Sequence, residues 1–522
     1  MSMNNSEHRN SLAINNKNIR TVSFDDIKYS DSSNNEVKHK SDGEWVDGEF
    51  VRFKGLHWFI TGLFIIGDMA GGGLVALPTA MIQTGFYFGL VCIALLAIVT
   101  CYTSICLGRC WQILLRNWPE YESHCRKPYS EMAYRACGPI MKTAISICID
   151  ITQFGIAVVY ILLVAKNLSS LLAAFFDFHV SFCILILAVA VFLLPITFLK
   201  SPQDFWWAVV CAMVTTSVAV VLIVWGSVSD YKHCVKEKQM PDFLITNYFV
   251  GLGTFLFSYG GHSSLPTIQH DMKQPSHFTR ASIFAFAGIF CLYLPAGIMG
   301  FLTYGDSLRD SIIQSIQTTW IQQAINICIT IHCILTLTIV FNPLNQEIEE
   351  LFNVPQKFGI KRIIVRTSIM ILVVFVAESV PNFGPLLDLI GGTTITTTSV
   401  LLPVLFYIML SSRQKMISEN GKDNGKSPTI KEVLKYCPKL TLIACVVIFI
   451  IGLVAGGAAT YSSIRELTST HFSKPCYISA FEKLSTTTTS TGYTNCCGHY
   501  QNISIYGNPQ KYCSDPELKF YS

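Results

Sequence analysis

Charge is what this 522-residue sequence has least of: Asp, Glu, Lys and Arg make up 14% of it, against 51% apolar residues. Mean hydropathy is positive, +0.43, a value soluble chains of this length rarely reach. The net charge of +4 is small and its basic residues are scattered, which argues against a nucleic-acid partner. No P-loop, HExxH or GxSxG string occurs, so ATP-driven chemistry and two common hydrolase classes lack their signatures and no enzyme is expected. No metal or organic cofactor is expected either. The first 50 residues contain no apolar core segment, so no cleavable signal peptide is expected.

Apolar sequence is what the chain has in excess. Eleven stretches are long enough to cross about 30 Å of hydrocarbon at roughly 20 residues each. Spans 1 to 6 are 56–82, 85–115, 139–166, 180–199, 203–228 and 246–272. Spans 7 to 11 are 278–304, 319–343, 361–379, 383–411 and 438–463. The expected fold is an all-α polytopic membrane protein embedded in a lipid bilayer. Residues 1–54, rich in Asn, Ser, Lys and Asp, read as a disordered cytoplasmic tail. Residues 55–463 form the membrane domain and 464–522 an extracellular or lumenal tail.

Most of the 38 Lys and Arg fall in the segments that are cytoplasmic if the N-terminus is inside. The positive-inside rule then puts the C-terminus outside or in a lumen. Asn502-Ile503-Ser504, a glycosylation sequon in that tail, agrees, although Asn4-Asn5-Ser6 also matches on the other side. Nineteen cysteines are present, and most, such as Cys92, Cys101, Cys148, Cys211 and Cys333, lie in apolar spans as small hydrophobes. The disulfide candidates are Cys476, Cys496, Cys497 and Cys513 in the tail and Cys234 in an outer loop. The pairing stays open, and the tail, with its Ser/Thr run 485–491, reads as loose with one or two bridges.

Two strings share the pattern GG-x-x-x-LP: Gly72 to Pro78 in span 1 and Gly260 to Pro266 in span 6. Glycine and proline together break a helix, which lipid tolerates only where the freed backbone is buried or lines a wet cavity. Each string lies in the first span of a five-span unit, and five is odd, so the second unit enters the membrane inverted. A half-helix starting after Gly73 offers free N–H groups and a positive dipole end to a carboxylate. Carbonyls around Asp68–Gly71 and Ser258–Gly261 offer acceptors to an ammonium. Together these ends suit a zwitterion, and an amino acid is the natural ligand.

Asp68 precedes the first break, where it either serves substrate or ion or caps the next half-helix. Asp150, Gln153, Ala157 and Tyr160 share one face of span 3. Span 8 carries Thr330, His332, Thr336 and Thr338, and span 10 carries Asp388, Gly391-Gly392 and a threonine run. Threonines mostly bond back to their own helix, so the run alone says little. Asp68, Asp150, His332 and Thr336 are the candidate ion-coupling residues.

The stretch Phe257-Ser258-Tyr259-Gly260-Gly261-His262-Ser263-Ser264-Leu265-Pro266, running on to Asp271 and Pro275, resembles span 6 of the amino acid/auxin permease family. Gly71 to Pro78 with Gly85-Phe86, Thr152-Gln153-Phe154-Gly155 with Tyr160, and Gly391-Gly392 through Pro403 are similar to that family's spans 1, 3 and 10. The resemblance covers 52–463. It implies a LeuT-like fold of eleven helices, a 5+5 inverted repeat with broken spans 1 and 6. It also implies an amino acid substrate and coupling to H+ or Na+, with Gly71, Gly72 and Gly73 holding the carboxylate and Ser258, Tyr259, Gly260 and Gly261 the amine, beside Gln153 and Tyr160. Asp68 departs from the family's usual small or amide residue. The expectation is proton-coupled symport of small neutral amino acids by a single chain in the plasma membrane or an endolysosomal or vesicular membrane. Sodium coupling, or an amino acid sensor with little flux, is the alternative; a channel ranks last, since it needs a continuous polar pore.

Overall fold

The computed structural model describes residues 41–178, 180–198, 206–355, 359–421, 423–470, 475–478 and 492–521. The first 40 residues, the Asn4 sequon and the Ser/Thr run 485–491 lie outside them.

The end of the expected disordered tail is folded. Strands β1 (Gly43–Val46) and β2 (Glu49–Arg52) pair antiparallel around Asp47 and Gly48, both at positive φ. Asp-Gly suits a two-residue turn whose twist matches the strands. The hairpin docks through Arg52 N to Lys273 O at 2.9 Å and Trp45 Nε1 to Glu122 Oε1 at 2.8 Å.

Among the described residues the remaining long elements are helices. The elements are α1 (Trp58–Met69), α2 (Gly72–Thr84), α3 (Phe86–Asn117), α4 (Pro128–Cys137), α5 (Pro139–Phe176), α6 (Phe182–Thr197), α7 (Trp206–Cys234), α8 (Ile245–Ser258) and α9 (Leu265–His270). They continue as α10 (Phe278–Tyr304), α11 (Thr319–Leu351), α12 (Ile360–Ser379), α13 (Phe383–Ile390), α14 (Leu402–Asn420), α15 (Ile430–Tyr436) and α16 (Lys439–Arg465). Among the described residues seven helices are long and apolar enough to cross a membrane, or eight with the bent pair α1–α2 as one span. Of the remaining predicted spans, α6 has 16 residues and α8 14, while α12 has 20 but carries Lys361, Arg362, Arg366 and Glu378.

Apolar faces point both ways. Tyr87, Phe88, Val91, Leu95 and Ile98 of α3 and Leu440, Ile443, Val447, Ile450 and Val454 of α16 are exposed, the pattern of a lipid-facing surface. The interior holds α11 packed against α5 and α7, and α2 along α8. Between α13 and α14 the helix widens into two π turns, 391–395 and 397–401. Gly391 lies against the carbonyl of Gly253 on α8 and Gly392 against Ala459 on α16, approaches that only small residues allow. Thr393, Thr397 and Thr398 bond back to carbonyls four residues earlier at 2.6, 2.9 and 2.9 Å.

The C-terminal tail is not loose. Disulfides join Cys183 to Cys476, Cys234 to Cys497 and Cys496 to Cys513. All five candidate cysteines are bonded; the sixth partner, Cys183, sits in an apolar run at the start of α6, where a cysteine reads as one more small hydrophobe. Residues 492–521 pack on the end of the bundle opposite the hairpin. Asn502 is exposed there.

Candidate functional site

The two matching strings break their helices in different registers. In the first, α1 ends at Met69 and α2 begins at Gly72, bent by 59°, so Gly72 and Gly73 are already helical and Pro78 lies inside α2. In the second, α8 ends at Ser258 and the glycines fall in the six-residue gap 259–264, with Pro266 in the first turn of α9. The second proline costs no hydrogen bond, because its missing N–H would be orphaned anyway.

Glycine is required at the first break by what fills the missing Cβ. A Cβ on Gly71 would overlap Nε2 of His332 and lie 3.0 Å from the Tyr160 hydroxyl; one on Gly73 would lie 2.5 Å from Ser258 Oγ and 2.6 Å from Ser258 Cα. A Cβ on Gly72 would lie 3.4 Å from the Tyr160 ring. No side chain caps the start of α2, so the first N–H groups, those of Gly72 and Gly73, have no partner within the helix. They point where an anion is held best.

Two groups, Ser264 and Tyr293, tie the breaks together, and Gln153 of α5 adds a bond to the second. Asp68 Oδ2 accepts from Ser264 Oγ at 2.5 Å, and that hydroxyl is also 2.8 Å from Gly261 O. Asp68 is therefore not the cap of α2; it belongs to the last turn of α1 and reaches across to the start of α9. Tyr293 of α10, fully buried, places its hydroxyl 2.8 Å from Ser258 O and 3.1 Å from Met69 O, the last residues of α8 and α1. Gln153 Nε2 donates to Ser263 Oγ at 3.3 Å. The Ser258 and Gly261 carbonyls, expected to meet an ammonium, thus already have hydroxyl partners.

His332 is fixed from behind: Nδ1 lies 2.8 Å from Thr216 Oγ1 and 3.2 Å from Ala212 O on α7. Its Nε2, fully buried, has no partner among the described residues and faces Gly71. The Tyr259 hydroxyl is likewise buried without a partner. Thr336 bonds back to His332 O at 2.8 Å. Gly260 packs on Ile395 of the π turn.

The structure thus brings together Asp68, Gly71, Gly72, Gly73, Gln153, Tyr160, Ser258, Tyr259, Gly260, Gly261, His332 and Thr336. It does not bring Asp150, which lies about 15 Å along α5 from Tyr160 at 1.5 Å per residue. Its charged neighbours are Lys127 and Glu347, themselves paired at 2.9 Å. Asp388 instead accepts from Thr254 of α8 and is buried. His262 is held by Thr103 Oγ1 and Thr100 O, both at 3.0 Å, and His270 by the Cys125 N–H at 3.0 Å. Tyr293 and Thr216 were missed: a tyrosine in an apolar span and a threonine among alanines and valines carry no local signal.

The chain matches the family model described as "Transmembrane amino acid transporter protein" over residues 54–462. Amino acid transporter AVT1H of Arabidopsis thaliana is 27% identical over 357 residues, covering 66% of this chain and 80% of the relative. Amino acid transporter AVT1E of the same plant is 24% identical over 413 residues, covering 77% and 72%. Among solved structures, MhsT in complex with L-phenylalanine superposes with a TM-score of 0.50 at 12% identity, covering 79% of this chain and 100% of MhsT. That likeness concerns the fold, which is LeuT-like. By the extent of the family match, the chain belongs to the transmembrane amino acid transporters, a family of membrane carriers and not of enzymes.

Proposed function

We propose that the chain is a secondary active transporter of small neutral amino acids, proton-coupled, working by alternating access around the two breaks. The observation that carries this reading is the single hydroxyl of Tyr293 held between the last carbonyls of α1 and α8. It keeps two unwound segments side by side, with the free start of α2 on one face and unpartnered His332 Nε2 and Tyr259 hydroxyl groups near it. The α2 N–H groups take the carboxylate. The imidazole facing Gly71, and the carboxylate of Asp68 that bridges the two breaks, favour a proton over sodium, since ionisable groups in a dry span are the usual proton carriers.

In this reading eleven spans form two inverted five-span units, α1–α7 and α8–α14, with α16 peripheral. The hairpin end faces the cytoplasm and the tail end the exterior or a lumen, where Asn502 is glycosylated. The test is uptake of a panel of labelled amino acids into proteoliposomes. Accumulation of a neutral amino acid under an inward pH gradient is expected. Uptake that needs sodium and ignores pH overturns the coupling, and no accumulation under either gradient overturns the function.

A further inference from the structure

The tail concentrates its hydrogen bonds on one loop, 305–318, between α10 and α11. His499 Nδ1 lies 2.5 Å from Asp306 Oδ2, Tyr521 donates to Leu308 O at 3.0 Å, and the Asn495 N–H to Gln314 O at 2.8 Å. Arg309, 5% exposed, donates to Glu517 O at 2.6 Å, and its guanidinium sits 5.0 Å from the centre of the Phe520 ring. From the other side Gln317 Nε2 returns a bond to Asn495 O at 2.9 Å.

The opposite face of the same loop rests on the first broken span. Arg309 O accepts from Thr79 of α2 at 2.5 Å, and Pro78 of α2 and Ile312 of the loop meet over Gly300. One residue therefore holds the tail with its side chain and α2 with its backbone. The tail itself is tied to the end of α7 through Cys234–Cys497, and the stretch before it to the start of α6 through Cys183–Cys476. A covalent tie keeps the tail at high effective concentration over the loop, so weak hydrogen bonds suffice to keep it docked.

We propose that residues 492–521 form a disulfide-tethered clamp that holds loop 305–318 down on α2, so that the site opens towards the tail end only when the clamp lifts. The clamp rests on the alternating-access reading above and adds a regulatory element that the matched family region, ending at 462, does not contain. Loss of the tether leaves the loop held by non-covalent contacts alone, and the opening rate rises.

The test uses the full chain in proteoliposomes with two variants, the double Cys234→Ser/Cys497→Ser and the single Arg309→Gln. Release is read as trypsin cleavage at Lys511 and Lys519 faster than in wild type, where both side chains are exposed on the docked tail, and opening by exchange of a tritiated mixture of proteinogenic amino acids. In both variants the tail should be cleaved faster and exchange should rise at least fivefold. Faster cleavage with wild-type exchange overturns the clamp, and cleavage at the wild-type rate in both variants overturns the tether. A wild-type chain that exchanges nothing refutes transport itself. The clamp is then read from labelling of Ile82→Cys by an impermeant maleimide, corrected for the same chain without that cysteine. Labelling should rise in the released variants, and equal labelling overturns it.

Discussion

The two breaks share a string of letters and differ in how they are built. At the first, two residues separate the half-helices and the glycines serve close approach: His332 and Ser258 occupy the room that side chains would need. At the second, six residues are unwound, and hydroxyls from Ser264 and Tyr293 satisfy the backbone and the neighbouring carboxylate. The first break is thus a fitted wall with free N–H groups, and the second a polar loop whose acceptors are largely engaged. Equal strings do not make equal sites; what packs against each glycine decides.

The largest expected effect tests that contrast directly. Gly71→Ala places a methyl on the His332 ring and should lower uptake more than a hundredfold in proteoliposomes, with the protein still inserted. Gly261→Ala meets the flexible side chain of Met69 and should lower it less than threefold. Equal losses would show the breaks to be interchangeable.

Next comes Tyr293→Phe, which keeps the ring against Tyr259 at 5.3 Å and removes only the hydroxyl. Leaving a buried carbonyl unpaired costs about 1–3 kcal/mol, so the KM for the amino acid should rise roughly tenfold. An unchanged KM would mean that the two breaks hold their spacing without it.

Asp68→Asn is subtler, because an amide oxygen still accepts from Ser264. Uptake at neutral pH should persist at a reduced rate while its dependence on the pH gradient is lost; a retained dependence would assign the proton to His332. Smallest of all is Pro266→Ala, within twofold of wild type, since a first-turn proline gives up no hydrogen bond.

Much of this was legible in the sequence. Span 7 was read as 278–304 and α10 is Phe278–Tyr304, because an all-round apolar helix between polar ends announces its own limits. That Gly71 and Gly73 sit at a break was legible for a similar reason, since bare glycines inside a span need an explanation, and Tyr160 was placed near them by its helical face with Gln153. The register of the second break was not, because whether Gly260 is helical depends on Ile395 and Tyr293, over 30 residues away in either case. Asp150 shared a helical face with Tyr160, but periodicity gives direction around a helix and not depth along it. The pairing of Cys183 with Cys476, 293 residues apart, is likewise a property of the packed bundle.

The central claim is that an amino acid is held between the breaks, and equilibrium binding tests it most directly. Purified full-length protein is titrated with a tritiated mixture of proteinogenic L-amino acids, alongside Gly73→Leu, whose side chain fills the space between α2 and Ser258. The account predicts saturable binding near one molecule per chain for the wild type and none for Gly73→Leu. Binding of equal strength to both proteins would contradict it.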